Sequence, residues 1–146
     1  MDEGYPEDDQ WCEEQRARVE SYLKEEQVKH GRIGDSPAWH VSPYVSIWAV
    51  ESLTRPEWIG WWVIAGDLPT DYVSADEIEP PQHPRKATKA IAERWLEWVQ
   101  ATRQGREHED LQIGGRHPNL ELATLLESRA NLLIEFAGND AHWDEE

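Results

Sequence analysis

Between Asp9 and His30 the apolar residues are sparse. Val19, Tyr22 and Leu23 fall at i, i+3 and i+4, Trp11 and Cys12 precede them, and Glu20, Lys24, Glu25 and Glu26 face the other way. That spacing predicts a helix with a thin apolar stripe. Asp9 is placed to cap it, Glu13 and Glu14 suit the positive end of its dipole, and Gly31 is the expected stop. A narrow stripe covers little surface, so this helix is expected along an edge of the core.

The pattern then changes period. Gly34 to Pro43 reads as a loop holding Trp39 and His40, and Tyr44 to Glu51 is rich in β-branched and aromatic residues, which predicts the first strand. Thr54-Arg55-Pro56-Glu57 supplies a turn, and Trp58 to Gly66 reads as the antiparallel partner, so the two make a hairpin. Trp58, Trp62 and Ile64 lie on one face of the second strand and Ile59, Trp61 and Val63 on the other, so both faces need cover at least in part. Gly60 and Gly66 weaken a strand unless something approaches closely, and the large side chains beside them favour that explanation. Tyr72-Val73-Ser74 can add a short third strand.

Pro80, Pro81 and Pro84 interrupt the chain before the clearest helix, which runs from about Pro84 to just before Gly105 with an apolar stripe of Ala87, Ile91, Trp95, Trp98 and Thr102. A loop through Gly114 and Gly115 leads to a last helix, Leu120 to Ala137, striped by Leu122, Leu125, Leu126, Leu132, Leu133 and Phe136 and stopped at Gly138. The order helix, hairpin or small sheet, helix, helix predicts an α+β fold. At 146 residues the chain suits one domain. Its expected form is a short antiparallel sheet packed against the amphipathic C-terminal helices over residues 10–138, with an acidic leader at 1–9 and an acidic tail at 139–146.

Charge sharpens this picture. The formal charge is −16, yet nine of the thirty acids lie in the leader and tail, leaving 21 acids against 14 bases, or −7, for residues 11–139. Such a surface disfavours nucleic acid and anionic membranes and leaves a basic protein as the expected class of partner. The N-terminal residues lack the basic start and apolar stretch of a signal peptide, and no apolar run approaches a membrane span, so a soluble cytoplasmic protein is expected. The single cysteine, Cys12, excludes an internal disulfide and a cysteine-rich zinc site.

The richest place for chemistry is the exit of the second strand. Asp67 and Asp71, with Asp76 further on, flank Tyr72 and can meet His40 across the hairpin, an arrangement that suits acid–base work or a divalent ion. Asp67 after Gly66 and Asp71 after Thr70 are equally ordinary turn formers. No calcium loop, paired metal-ligand histidines, phosphate-cradling glycine loop or nucleophile elbow is present, so no metal or cofactor is implied. Trp39, His40, Trp48, Trp61 and Trp62 can line a pocket or fill a core. Arg129, on the apolar side of the last helix, needs an anionic partner, for which Asp67 or Asp71 is suited. His83, His108 and His117 fall in expected loops.

Several of these segments carry a resemblance. Trp11-Cys12, Pro37-Ala38-Trp39-His40-Val41 before Tyr44-Val45-Ser46-Ile47-Trp48-Ala49, the run Gly60-Trp61-Trp62-Val63-Ile64-Ala65-Gly66-Asp67-Leu68-Pro69-Thr70-Asp71-Tyr72, and Leu126-Glu127-Ser128-Arg129-Ala130 resemble a family of bacterial proteins catalogued only as a domain of unknown function. The resemblance implies a bacterial cytoplasmic protein and transfers no activity and no catalytic residue.

The function expected from these features is a small acidic binding or regulatory module, for instance an immunity-type inhibitor of a basic toxin. It would use a face made of Trp39, His40, Trp61, Asp67, Asp71, Tyr72 and Arg129. The alternative is a small hydrolase or metal-assisted enzyme in which Asp67 and Asp71 act as ligands or acid–base pair and His40 as base. That alternative requires the three side chains to converge.

Overall fold

A computed structural model describes residues 6–105 and 120–143. Among these residues there are three α-helices and one four-stranded antiparallel sheet, which is the α+β class expected. The elements are α1 (Pro6–Glu25), β1 (Trp39–Val41), β2 (Val45–Glu51), β3 (Ile59–Gly66), β4 (Leu68–Ser74), α2 (Pro84–Arg103) and α3 (Leu120–Gly138), with short 3-10 turns at Ala75–Glu77 and Asp140–His142. The chain divides into two compact units, residues 1–84 and 85–146.

In the first unit the strands lie in the order β1-β2-β3-β4, each antiparallel to its neighbour. Trp39-His40-Val41, expected in a loop, pairs with Ile47, Ser46 and Val45 as a short edge strand. At the other edge β4 runs for seven residues, longer than the Tyr72–Ser74 segment expected. Its Pro69 is tolerated because an edge strand need not donate on its outer side.

Helix α1 differs from expectation at both ends and in position. It begins at Pro6, so Asp9 lies inside it and residues 6–9 of the expected leader are helical. It ends at Glu25, several residues before Gly31. The stop is Gln27, whose φ of 62° is left-handed; its N–H bonds to the Lys24 carbonyl at 3.1 Å and the Val28 N–H reaches back to Leu23 at 3.0 Å. Those are the two bonds of a Schellman cap, in which any residue that tolerates positive φ can replace glycine. Nor does α1 sit at an edge. Val19 and Leu23 are fully buried in a cluster with Ile33, Trp48, Val50, Val63 and Ala65, so the helix covers one face of the sheet. Each fully buried large side chain of this kind contributes roughly 1.5–3 kcal/mol. Two arginines tie α1 down further: Arg16 donates to the carbonyls of Ile33 and Gly34, and Arg18 donates to Gly66 at 2.9 Å.

The sheet interior also satisfies its polar atoms. Trp48 is wholly buried; its indole N–H donates to Ser46 Oγ at 2.8 Å, and that hydroxyl donates to the Ala65 carbonyl at 2.8 Å. Trp62 and Ile64, on the opposite face from Trp61 and Val63, are buried as well. Both glycines of β3 are explained by close approach. A Cβ on Gly60 would stand 2.8 Å from Ser52 Cα, and one on Gly66, where φ is +151°, would run into the Tyr44 carbonyl group.

In the second unit α2 has the bounds expected, and Ala87, Ile91, Trp95, Trp98 and Thr102 are all buried. On α3 the buried stripe is Ala123, Leu126, Ala130, Leu133 and Ala137, while Leu125 of the expected stripe is exposed. Arg85, near the start of α2, donates to the Ala137 carbonyl at 2.6 Å and pairs with Asp140 at 2.7 Å. A cation on the last carbonyls of α3 meets the negative end of its dipole. Residues 139–143 of the expected tail therefore fold back: Asn139 caps the 3-10 turn and the Trp143 indole donates to the Phe136 carbonyl. Gly114, Gly115, His108 and His117 lie outside the described residues. No helix among the described residues is long and apolar enough to cross a membrane.

Candidate functional site

The structure brings three of the seven expected site residues together. Trp61 and Tyr72 meet Tyr22 of α1 on the α1 side of the sheet, and Asp71, opposite Ile64 in the register, reaches the Tyr22 hydroxyl from edge strand β4. The Tyr72 ring lies edge-on to Trp61 at 5.6 Å and to Tyr22 at 5.9 Å between centroids. Asp71 is 6% exposed, and its Oδ1 accepts from the Tyr72 N–H at 2.8 Å and from the Tyr22 hydroxyl at 3.4 Å. Burial, followed by the charge of Asp71, pushes the Tyr22 phenol well above its ordinary value, so it remains a neutral donor. A carboxylate that orders a strand's backbone and a phenol fixed in its protonated form serve to hold α1 on β4.

Within the first unit, His40, Trp39 and Asp67 are placed away from this group. His40, opposite Ser46, is on the same face as Trp48, and its ring stacks on Trp11 of α1 at 6.1 Å. Trp39, opposite Ile47, is half-buried on the other face. Asp67 is the single exposed residue between β3 and β4, where its N–H bonds to the Tyr44 carbonyl at 2.9 Å and closes the corner. Arg129 belongs to the second unit.

The convergence expected of His40 with Asp71 is thus not found. They lie on β1 and β4, the two edges of the sheet with β2 and β3 between them. Three strand spacings separate their backbones by roughly 14 Å, whereas proton transfer requires hydrogen-bond reach. Among the described residues no three His, Cys, Asp or Glu side chains come close enough to hold a metal ion.

A different place has the form of a binding site. A cleft of about 360 Å³ opens beside the β2–β3 connection, lined by Arg32, Gly34, Ala49, Val50, Glu51, Glu57, Trp58 and Ile59. Volumes of this size suit a single side chain or small ligand. The connection itself is a tight, well-bonded loop. Trp58 N–H bonds to the Arg55 carbonyl at 3.0 Å, and Pro56 with a positive φ of 73° at Glu57 gives the form of a type II turn. Ser52 closes its base by donating its N–H to the Trp58 carbonyl at 2.8 Å and accepting the Arg55 N–H on its hydroxyl at 3.2 Å.

Glu51 anchors this loop to the neighbouring segment. Its carboxylate accepts the Arg32 N–H at 3.0 Å and the Glu57 N–H at 2.6 Å, and these two bonds, with the Arg32 charge, hold it below the ordinary carboxylate value. The loop presents Trp58, which is 60% exposed, with the Arg55 guanidinium 4.1 Å from its ring centre. Trp58, expected as the first residue of the second strand, lies instead in the loop that precedes β3 (Ile59–Gly66). The available signal was Arg-Pro-Glu-Trp: proline at the second turn position places Arg55 and Trp58 at its two ends.

No curated protein and no solved structure matches the chain. Residues 7–143, nearly the whole sequence, match the family described as Domain of unknown function (DUF4826), and the chain belongs to that family.

Proposed function

We propose that the chain is a non-catalytic binding module of the bacterial cytoplasm whose partner is a basic protein, as an immunity-type inhibitor would be for a toxin. The observation that carries this reading is charge. A net −16 over 146 residues, with 21 acids against 14 bases even in residues 11–139, sets up a field that repels nucleic acid and draws in a cationic surface. The placement of the expected catalytic groups supports the same reading, since Asp71 is bonded to Tyr22 and to backbone and His40 is stacked on Trp11 at the far edge.

Affinity capture from the host's lysate at about 0.05 M and about 0.5 M salt tests the proposal, because exposed charges are screened within a few ångströms at the higher value. The expected result is a stoichiometric partner of high isoelectric point that is retained at low salt and released at high salt. A neutral or acidic partner, or retention indifferent to salt, would refute it.

A further inference from the structure

The cleft beside the β2–β3 loop carries an unbalanced charge and an exposed aromatic ring. Of its ionic lining groups, Glu51 is engaged by the Arg32 and Glu57 backbone N–H groups and faces the Arg32 charge. The Glu57 carboxylate makes no hydrogen bond or ion pair among the described residues, so it is the charge left over. By contrast, a groove of similar volume in the second unit, lined in part by Arg103 and Glu127, has those two charges paired at 2.9 Å.

Trp58 supplies the second half of the chemistry. Arg55 already lies over its ring at 4.1 Å, so the indole accepts a guanidinium at cation–π distance within this same molecule. Arg55 is not among the residues lining the cleft. The loop that offers the pair is ordered by its own hydrogen bonds, and it holds Glu57 at φ 73°, a turn position that favours glycine. A rigid loop presenting tryptophan beside a charged group has the composition of a binding hot spot.

We propose that this cleft receives an arginine side chain of the basic partner, with the incoming guanidinium against Trp58 and the Glu57 carboxylate. The inference rests on the basic-partner reading and names its point of contact. Charge complementarity selects this occupant: the cleft is net negative within a chain of −16.

The test uses the full-length chain and a hexa-arginine peptide at low ionic strength, with binding measured calorimetrically and the Trp58 indole N–H followed by NMR after assignment through Trp58→Phe. The Trp58 resonance should shift on titration. Affinity should weaken roughly threefold to thirtyfold in Trp58→Ala, the range of a cation–π contact, and several-fold in Glu57→Gln. Hexa-lysine should bind more weakly than hexa-arginine, because only the planar guanidinium stacks. Glu20→Gln, on the exposed side of α1, removes the same charge and should leave affinity unchanged. Trp58 is 60% exposed, so its replacement should leave the melting temperature near wild type. Equal binding by wild type, Trp58→Ala and Glu57→Gln would overturn the assignment of the cleft while leaving the basic-partner reading intact. No binding by any form would overturn both.

Discussion

Replacing Trp62 with alanine tests how the first unit is held together. The side chain is 2% exposed, and its indole N–H donates to Gln82 Oε1 at 2.7 Å. Gln82 in turn donates to the carbonyls of Ala75 and Ile78, so one indole secures the turn that follows β4. Truncating a buried tryptophan costs roughly 3–5 kcal/mol in lost burial and residual cavity. Orphaning the Gln82 oxygen adds less than about 1 kcal/mol, because Gln82 is only half-buried and water can replace the donor. Urea unfolding followed by far-UV circular dichroism reads the sum. With a slope of about 2 kcal/mol/M, the midpoint should fall by about 2 M at unchanged slope, and the melting temperature by roughly 10 °C or more. Trp62→Phe retains most of the ring and loses the N–H, so about 1–2 kcal/mol should be lost. A loss under about 1 kcal/mol in Trp62→Ala would refute the placement of this side chain in the core.

Gly66→Ala should destabilise by about 3 kcal/mol or prevent folding, since φ is +151° and the new methyl would meet the Tyr44 carbonyl group; thermal melts read this directly, and a near-wild-type melt would contradict the close approach. The Tyr22 phenol ionises in the folded chain well above its ordinary value of 10.0. Its contribution is therefore complete below about pH 10 and is lost as pH rises further and the unfolded chain ionises first. Tyr22→Phe should flatten the alkaline fall in stability measured by urea titrations at stepped pH, and an unchanged slope would count against the raised phenol. Glu57→Gly should stabilise by up to about 1 kcal/mol, because glycine adopts positive φ without strain, while weakening hexa-arginine binding as Glu57→Gln does. A loss of stability there would contradict the left-handed turn.

The parts of the fold that could be read from sequence are those with strong punctuation. Pro84 at the start of α2 and Gly138 at the end of α3 mark element ends, and the stripe from Ala87 to Thr102 repeats over about four turns. The end of α1 was obscured because Gln27 takes the left-handed position that the rule assigns to glycine, so Gly31 drew the boundary instead. Trp39-His40-Val41 is too short for alternation to register and becomes a strand only through pairing with β2. Pro69 and Asp71 argue locally against a strand, yet an edge tolerates the first, and the second turns its carboxylate onto the Tyr72 N–H.

The site was harder to read for a related reason. Nearness in sequence grouped Asp67, Asp71 and Tyr72, while only the strand order reveals that His40 and Asp71 occupy opposite edges. Trp58 illustrates the converse. Its residue type suggested a core strand, and its exposure follows from one turn that no periodicity describes.

The most direct test of the charge-based reading is the association rate of the captured partner with the full chain, measured by stopped-flow fluorescence from about 0.02 M to about 0.5 M salt. Attraction between a −16 protein and a basic surface should make the rate fall by tenfold or more across that range while dissociation changes little. A rate independent of salt would contradict it.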